Sequence, residues 1–257
     1  MRTKNKGLLL FITILTVVLL CFGTSLSTIV GSSHDLSSVT GGGEHFRSLN
    51  EDEICIFCHT PHNAIVDDGT GSGLRLPLWN RNISRNTTGF SVYSSSTMNV
   101  TMEQPKGMTL LCLSCHDGIT AINLLVNYNR HDSISMQGGA DQLGDIWNPT
   151  YSRYPGMNIG GATPGSYTYE PYGAVDSDTK RLDDDHPVSF VFDDALVAAD
   201  NKLKIPDVTS KLKLFNGRLE CPTCHNVHEQ GTDIALTKPF LRVTKDRSEI
   251  CTGCHIK

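Results

Sequence analysis

Four copies of one five-residue pattern, Cys-x-x-Cys-His, constrain this chain more than any other feature of its sequence. They use eight of the nine cysteines. In this pattern the two thiols attach covalently to a haem, and the histidine becomes the proximal ligand of its iron. We therefore expect four c-type haems. The attachment cysteines are Cys55, Cys58, Cys112, Cys115, Cys221, Cys224, Cys251 and Cys254, and the proximal histidines are His59, His116, His225 and His255.

Two other uses of paired cysteines compete with this interpretation. Disulfides suit an exported protein, but cysteines two residues apart rarely form structural bridges. Zinc ribbons also use paired Cys-x-x-Cys motifs. Neither alternative requires a histidine directly after every pair, as all four copies have.

The remaining histidines predict the second, distal ligand of each iron. His62 and His228 each follow a proximal histidine by three residues, on the same face of a helical turn, so each must serve a different haem from its neighbour. A lone histidine, His34 or His186, precedes each of these two units. The chain thus contains two unequal half-repeats, over about residues 30–130 and 180–257. The predicted distal ligands are His34, His62, His186 and His228.

These ligands predict a haem protein without an open iron position. His45 and His131 have no counterpart in the repeat and are expected to be surface histidines. Methionine, the competing axial ligand, has no repeated position either. Two histidines on every iron favour electron transfer over catalysis, so we expect no enzyme activity. The acidic run 183–185 beside His186 either lowers the potential of one haem or is a solvated turn.

The N-terminus predicts export. Three basic residues precede an apolar run over 8–22 and small residues after it, which is typical of a cleaved signal peptide over 1–26 that includes Cys21. A retained membrane anchor is the alternative. The mature chain, 27–257, is then a single tetrahaem domain with no stable membrane span. Its net charge falls from −5 to −8, which disfavours nucleic acid as a partner.

The rest of the chain predicts a mostly irregular fold with short α-helices. The best helical segment covers 108–126, bent near Gly118; others are a short helix carrying Cys55 and a modest one over 194–204. Residues 67–101 form a long loop by composition, with weak strand character over 90–93. The Gly-, Tyr- and Pro-rich stretch 127–180 is expected to wrap around haem faces.

Several local motifs resemble a known family. They are His34-Asp-Leu-Ser, the Cys55 unit continued by Thr-Pro-His-Asn-Ala, Pro77-Leu-Trp-Asn-Arg81, Cys112-Leu-Ser-Cys-His-Asp-Gly and Asp185-His-Pro-Val-Ser-Phe190. With the doubled Cys-x-x-Cys-His units, they resemble the multihaem cytochromes of the c3-type superfamily. Among these, the order of four haems looks most like the outer-surface tetrahaem cytochromes that polymerise into extracellular filaments (OmcE-like nanowires).

This resemblance implies a loop-rich cytochrome c wrapped around a continuous stack of four haems, in alternating parallel and perpendicular pairs. It also implies a head-to-tail homopolymer, in which one axial histidine crosses from a neighbouring subunit. His34, on a lead-in near the mature N-terminus, fits that role best. The implied function is an extracellular or outer-surface electron conduit that exchanges electrons with partner cytochromes.

Three other functions stay open. A discrete periplasmic electron shuttle has the same haem motifs. A multihaem enzyme that converts nitrite or hydroxylamine would need a haem without a distal ligand, and six non-proximal histidines for four irons argue against it. A zinc-binding module would give a colourless protein.

Overall fold

A computed structural model of the protein describes residues 29–39, 47–83, 89–117, 122–128, 134–137, 181–183, 185–229 and 240–256. The expected signal peptide, His45, His131 and the wrapping stretch from 138 to 180 lie outside these residues. Among the helices of the described ranges, none combines the length and apolar character that a bilayer span requires.

Short elements joined by irregular chain make up the described fold. The helices are α1 (Thr109–His116), α2 (Asp194–Ala199), α3 (Cys221–Cys224) and α4 (Glu249–Thr252), with 3-10 turns at Ile54–Phe57 and Asp246–Ser248. The strands are β1 (Ile65–Asp67), β2 (Arg75–Trp79), β3 (Ser91–Val92), β4 (Arg181–Leu182), β5 (Phe190–Val191) and β6 (Arg218–Leu219). They form three two-stranded sheets: β1 with β2 antiparallel, β3 with β4 parallel, and β5 with β6 antiparallel.

Local capping explains where two of the helices begin. The Asp193 side chain accepts a hydrogen bond from the Leu196 amide, 3.0 Å away, at the start of α2. At α3, Glu220 and Thr223 form a reciprocal capping box, and Pro222 lies in the first turn. Each arrangement satisfies backbone amides that the helix itself leaves without partners.

The longest predicted helix is shorter than expected. Among the described residues of 108–126, the structure has α1, which ends at His116, and residues 122–126 are not helical. Backbone groups there bond to another segment, since the Ile122 carbonyl accepts from Arg81 and the Val126 amide donates to the Asn80 carbonyl. Tertiary hydrogen bonds therefore replace the helical ones that the apolar pattern predicted.

Two other predicted elements occur in the structure, and one strand that was not predicted is also present. A strand is confirmed within 90–93, as β3, and the helix expected over 194–204 ends at Ala199. The predicted loop over 67–101 also contains β2, which the composition did not indicate. Leu78 lies inside β2 in the left-handed conformation, with φ of 52°. Left-handed backbone is unusual for a leucine, which is one reason that the composition did not indicate this strand.

Apolar side chains form four small buried clusters. They centre on Phe57 and Ile134, on Phe190 and Leu219, on Trp79 and Leu110, and on Phe90 and Leu113. A domain usually has one contiguous core with small satellites. In this chain, the clusters lie beside the Cys-x-x-Cys-His units, with Phe57, Leu113 and Cys254 belonging to units themselves.

Candidate haem-binding site

Each Cys-x-x-Cys-His unit forms one helical turn. In three of them, the amide of the histidine donates to the carbonyl of the first cysteine: His59 to Cys55 at 2.8 Å, His225 to Cys221 at 3.1 Å, and His255 to Cys251 at 2.9 Å. The fourth unit lies within α1. One turn brings both thiols and the imidazole to the same side of the backbone. All eight cysteines of these units are free thiols.

A second backbone segment crosses three of these turns in the same way. We call these segments straps; they are residues 78–80, 240–242 and 202–204. Each strap brackets the histidine with two antiparallel hydrogen bonds. The pairs are Thr60 to Leu78 and Asn80 to Cys58 (both 2.9 Å), Asn226 to Phe240 and Arg242 to Cys224 (both 2.8 Å), and Ile256 to Lys202 and Lys204 to Cys254 (both 2.8 Å). The straps hold each unit without using its side chains.

The distal and proximal histidines meet in three pairs. Ring centres lie 6.0 Å apart for His34 and His116, 6.2 Å for His59 and His228, and 6.3 Å for His186 and His255. A metal–imidazole bond is about 2.0–2.1 Å long, so one metal between two imidazoles separates the ring centres by roughly 6 Å. Every pair combines one predicted proximal histidine with one predicted distal histidine. Of the eight predicted ligands, the two outside these three pairs are His62 and His225.

Hydrogen bonds orient two of these rings for ligation. His59 Nδ1 is 2.5 Å from the Pro77 carbonyl oxygen, and His186 Nδ1 is 2.9 Å from the Pro187 carbonyl oxygen. Because a carbonyl only accepts, Nδ1 carries the proton and Nε2 is left with its lone pair for a metal. This is the tautomer that an axial ligand needs.

Removal from water favours the neutral form of three distal imidazoles, those of His34, His186 and His228. It lowers the pKa of His34 to about 4, and the nearby His116 adds to the shift. Burial also lowers the pKa of His186 and of His228. The neutral form is the one that binds a metal. The buried Nδ1 of His34 has no hydrogen-bond partner among the described residues, so protonation there would leave a charge without compensation.

Attachment cysteines of different units also approach one another. The thiols of Cys112 and Cys221 share a hydrogen bond, which raises the pKa of Cys112. Burial raises the pKa of Cys58 to about 12, and the nearby Cys115 adds to it. Burial likewise raises the pKa of Cys224 to about 11, with a further contribution from Cys254. Haems bonded to these sulfurs would therefore be close neighbours.

These observations fit four haems better than bare metal ions. Within the ranges that the structure describes, no group of three or more His, Cys, Asp or Glu side chains could hold a metal ion. The histidines instead offer two ligands at each of three places, which is what an iron needs when a porphyrin supplies its other four. The residues present thus fit covalently attached haem with two axial histidines.

The side chain of His62 is exposed, as are those of His186, His228 and His255, but His62 belongs to none of the three pairs. No ring contact or side-chain hydrogen bond involves its imidazole in the part of the chain that the structure describes. Its backbone is nevertheless fixed, since Asn127 Nδ2 donates to the carbonyl oxygens of His62 at 2.5 Å and of Asn63 at 3.2 Å. The ring is therefore presented to the outside on an ordered turn.

Two predicted features have a partial or different outcome. His34 is buried beside His116 and Phe240 of its own chain, which gives no support to the prediction that it crosses to a neighbouring subunit. Of the acidic run 183–185, Asp184 lies outside the described residues, so its effect on a haem potential stays a prediction.

Two residues that had no role assigned from the sequence, Pro77 and Trp79, contact the imidazole of His59. Trp79 packs edge-on against His59, with ring centres 5.6 Å apart, and the Pro77 carbonyl orients the same ring. Both belong to the motif Pro77-Leu-Trp-Asn-Arg81, which carried the family resemblance but no assigned role. Its spacing from the first haem unit, across a Gly- and Ser-rich stretch, gave no sign of this contact.

Neither a scan against protein-family models nor a search of curated proteins found a match for this chain.

Proposed function

We propose that this chain is a tetrahaem c-type cytochrome that transfers electrons, with two histidines on each iron. The observation that carries the proposal is the set of three histidine pairs with ring centres 6.0–6.3 Å apart. Each pair joins residues remote in sequence, and each has the separation that one shared metal requires. Bound haem supplies reversible one-electron chemistry at its iron.

The chain's own residues hold the haems and limit their chemistry. Eight thiols would provide covalent attachment, and the paired histidines would supply both protein ligands at three of the irons. An iron with both positions occupied has no site for a substrate, which favours electron transfer over catalysis. We therefore propose no enzyme activity for this protein.

Haem content and spin state test this proposal directly. Purified protein should carry four covalent haems per chain, as measured by intact mass and by the pyridine haemochrome assay. Electron paramagnetic resonance of the oxidised protein should show low-spin signals from the three paired sites. Colourless protein with bound zinc would overturn the proposal, as would high-spin iron at the sites of the three pairs.

We further propose that the protein polymerises and that His62, in place of His34, is the histidine that crosses between copies. His34 already has His116 beside it, whereas the His62 ring is exposed on an ordered turn. Exposed apolar side chains lie near that turn, including Leu78 and Val126, which backbone hydrogen bonds tie to the same region. An imidazole surrounded by exposed apolar residues suits a contact with a second copy.

His62→Ala tests the polymer. The variant should retain four covalent haems and fail to form filaments in negative-stain electron microscopy of the secreted protein. Added imidazole serves as the control, because it can replace a lost axial ligand but cannot link two copies. It should leave the variant as single particles. Normal filaments from His62→Ala would overturn this role for His62.

The proposed location is the outside of the cytoplasm, at the outer cell surface or beyond it. Export follows from the signal sequence over 1–26 and from the four c-type attachment units. A discrete periplasmic shuttle is the second candidate, and it predicts small particles where the filament predicts threads. In either case, other cytochromes are the proposed redox partners.

A further inference from the structure

One short segment, residues 77–81, contacts the attachment turns of two different haem units. It includes the end of β2 and the strap 78–80. Its contacts on one side reach the Cys55 unit, and those on the other side reach the Cys112 unit in α1. The contacts to the Cys112 unit are made by side chains, since the backbone bonds of the strap to a haem unit reach only the Cys55 unit.

Asn80 makes the contacts to the first unit. Its amide donates to the Cys58 carbonyl at 2.9 Å, and its side-chain Nδ2 donates to the Ile56 carbonyl at 2.7 Å. Ile56 lies between the two attachment cysteines, so Asn80 binds the interior of the turn. The Asn80 side chain is fully buried and also accepts a bond from the Asn127 amide at 2.8 Å.

Arg81 makes the contacts to the second unit. Its Nε and Nη2 both donate to the Ser114 carbonyl, at 3.1 and 2.9 Å, and its Nη1 donates to the Ile122 carbonyl at 2.5 Å. Ser114 lies between the two attachment cysteines of α1. Trp79 adds a bond from its Nε1 to Ser114 Oγ at 3.2 Å. The guanidinium is fully buried, so these bonds are not weakened by competing water.

Two consecutive residues, Asn80 and Arg81, therefore form hydrogen bonds to the attachment turns of two different haem units. Adjacent Cα atoms are separated by a fixed distance of about 3.8 Å, so the Asn80–Arg81 pair acts as a spacer of constant length. The planar guanidinium also fixes direction, because its donors lie in one rigid fork.

The second half of the chain offers an internal comparison. In its strap 240–242, Arg242 occupies the position of Asn80 and donates from Nε to the Pro222 carbonyl at 2.7 Å. Pro222 lies inside the turn of the same unit that this strap brackets. The next residue is Val243, an apolar side chain packed against a buried cluster. This strap thus holds its own unit, with no counterpart of the Arg81 contact.

We infer that Asn80 and Arg81 are positioning residues that set the distance and orientation between the first and second haem attachment turns. This inference rests on the proposed function, because it assigns the two residues a role in the electronic coupling of those two haems. Arg81 reaches the second turn, and Asn80 fixes the first.

Arg81→Lys tests the inference, with Arg242→Lys as the matched control. Lysine keeps the positive charge but cannot reproduce the planar fork. Circular dichroism in the Soret region reports coupling between neighbouring haems. With four haems in both proteins, the amplitude of the couplet should fall more in Arg81→Lys than in Arg242→Lys, because Arg242 holds a single unit.

A purely structural role predicts a different result. In that case, both variants lose unfolding stability and neither changes the couplet, which would overturn the inference. An equal fall in both variants would also overturn it, because it would indicate general loosening. If Arg81→Lys fails to fold, Trp79→Phe is the second variant, because it removes one bond to Ser114 and keeps an aromatic ring. The amplitude of its couplet should fall by less than the fall expected for Arg81→Lys. An unchanged amplitude would overturn the inference. Wild-type protein without four haems would instead overturn the proposed function.

Discussion

The Cys55–His62 and Cys221–His228 units share one motif and one backbone frame, yet their last histidines have different neighbours. Both units form the same hydrogen-bonded turn, and both are bracketed by a strap whose first residue, Leu78 or Phe240, is left-handed. Both last histidines are exposed, but His228 lies 6.2 Å from the ring of His59, whereas His62 has no ring contact within the described residues.

The residue after each proximal histidine accounts for part of the difference. In the second unit, the Asn226 side chain accepts from the His228 amide at 3.2 Å, which closes the turn inside the unit. In the first unit, Thr60 donates from Oγ1 to the His62 carbonyl at 3.1 Å, and Asn127 holds the same carbonyl from outside. Under the proposed function, the motif would supply a ligand, and the local turn would decide which haem that ligand can reach.

Removing the last histidine of each unit should give the largest contrast. In single chains, His228→Ala should convert one haem of the four to a high-spin state, because the iron on His59 loses its second ligand. His62→Ala should leave the spectrum of the single chain unchanged. Electron paramagnetic resonance of both oxidised variants would measure this, and equal spectra would contradict the comparison.

The next largest contrast is expected when the left-handed first residue of each strap is replaced by glycine. Phe240 is 7 % exposed and packs on His34, so Phe240→Gly should lower the free energy of unfolding by about 3 kcal/mol. Leu78 is 49 % exposed. Leu78→Gly should change that free energy by less than about 1 kcal/mol, since relief of the backbone opposes the added chain entropy. Chemical denaturation of each variant checks both values.

A smaller contrast is expected at the glutamates that precede the two turns. Glu220 is fully buried and accepts bonds from Thr109 and from Arg218 Nε, the latter at 3.0 Å. Glu220→Ala should lower the free energy of unfolding by about 2 kcal/mol, because buried donors lose their acceptor.

Glu53 provides the matched control for that measurement. It is exposed and makes no side-chain capping bond at the turn Ile54–Phe57. Glu53→Ala should change the free energy of unfolding by less than about 0.5 kcal/mol. A loss at Glu53 as large as that at Glu220 would contradict the difference in burial.

The sequence predicts the ligands but does not predict the residues that support them. Spacing alone predicted which histidines are proximal and which are distal, because covalent attachment ties chemistry to a fixed motif. The straps could not be predicted, since they bond through backbone groups that any residue carries. Residues 122–126 were misassigned as helix for a related reason: their backbone groups bond to Asn80 and Arg81, which are remote in sequence.

The role of each distal histidine was also beyond the sequence. His34 and His62 are equivalent by count, and a position near the N-terminus favoured His34 as the crossing ligand. Only the folded chain separates them, because burial against Phe240 depends on a contact over about two hundred residues of sequence. The His62 backbone is held in turn by Asn127, which follows it by 65 residues.

The contact between the thiols of Cys112 and Cys221 has a consequence for the order of maturation. Two sulfurs that lie against each other in the folded chain leave little room for an attachment enzyme between them. Under the proposed function, the thioether bonds of these two cysteines must therefore form before the two units pack together. The four small apolar clusters fit this sequence of events, because none is large enough to collapse the chain early. Cofactor addition would then be the step that commits the newly exported chain to its final shape.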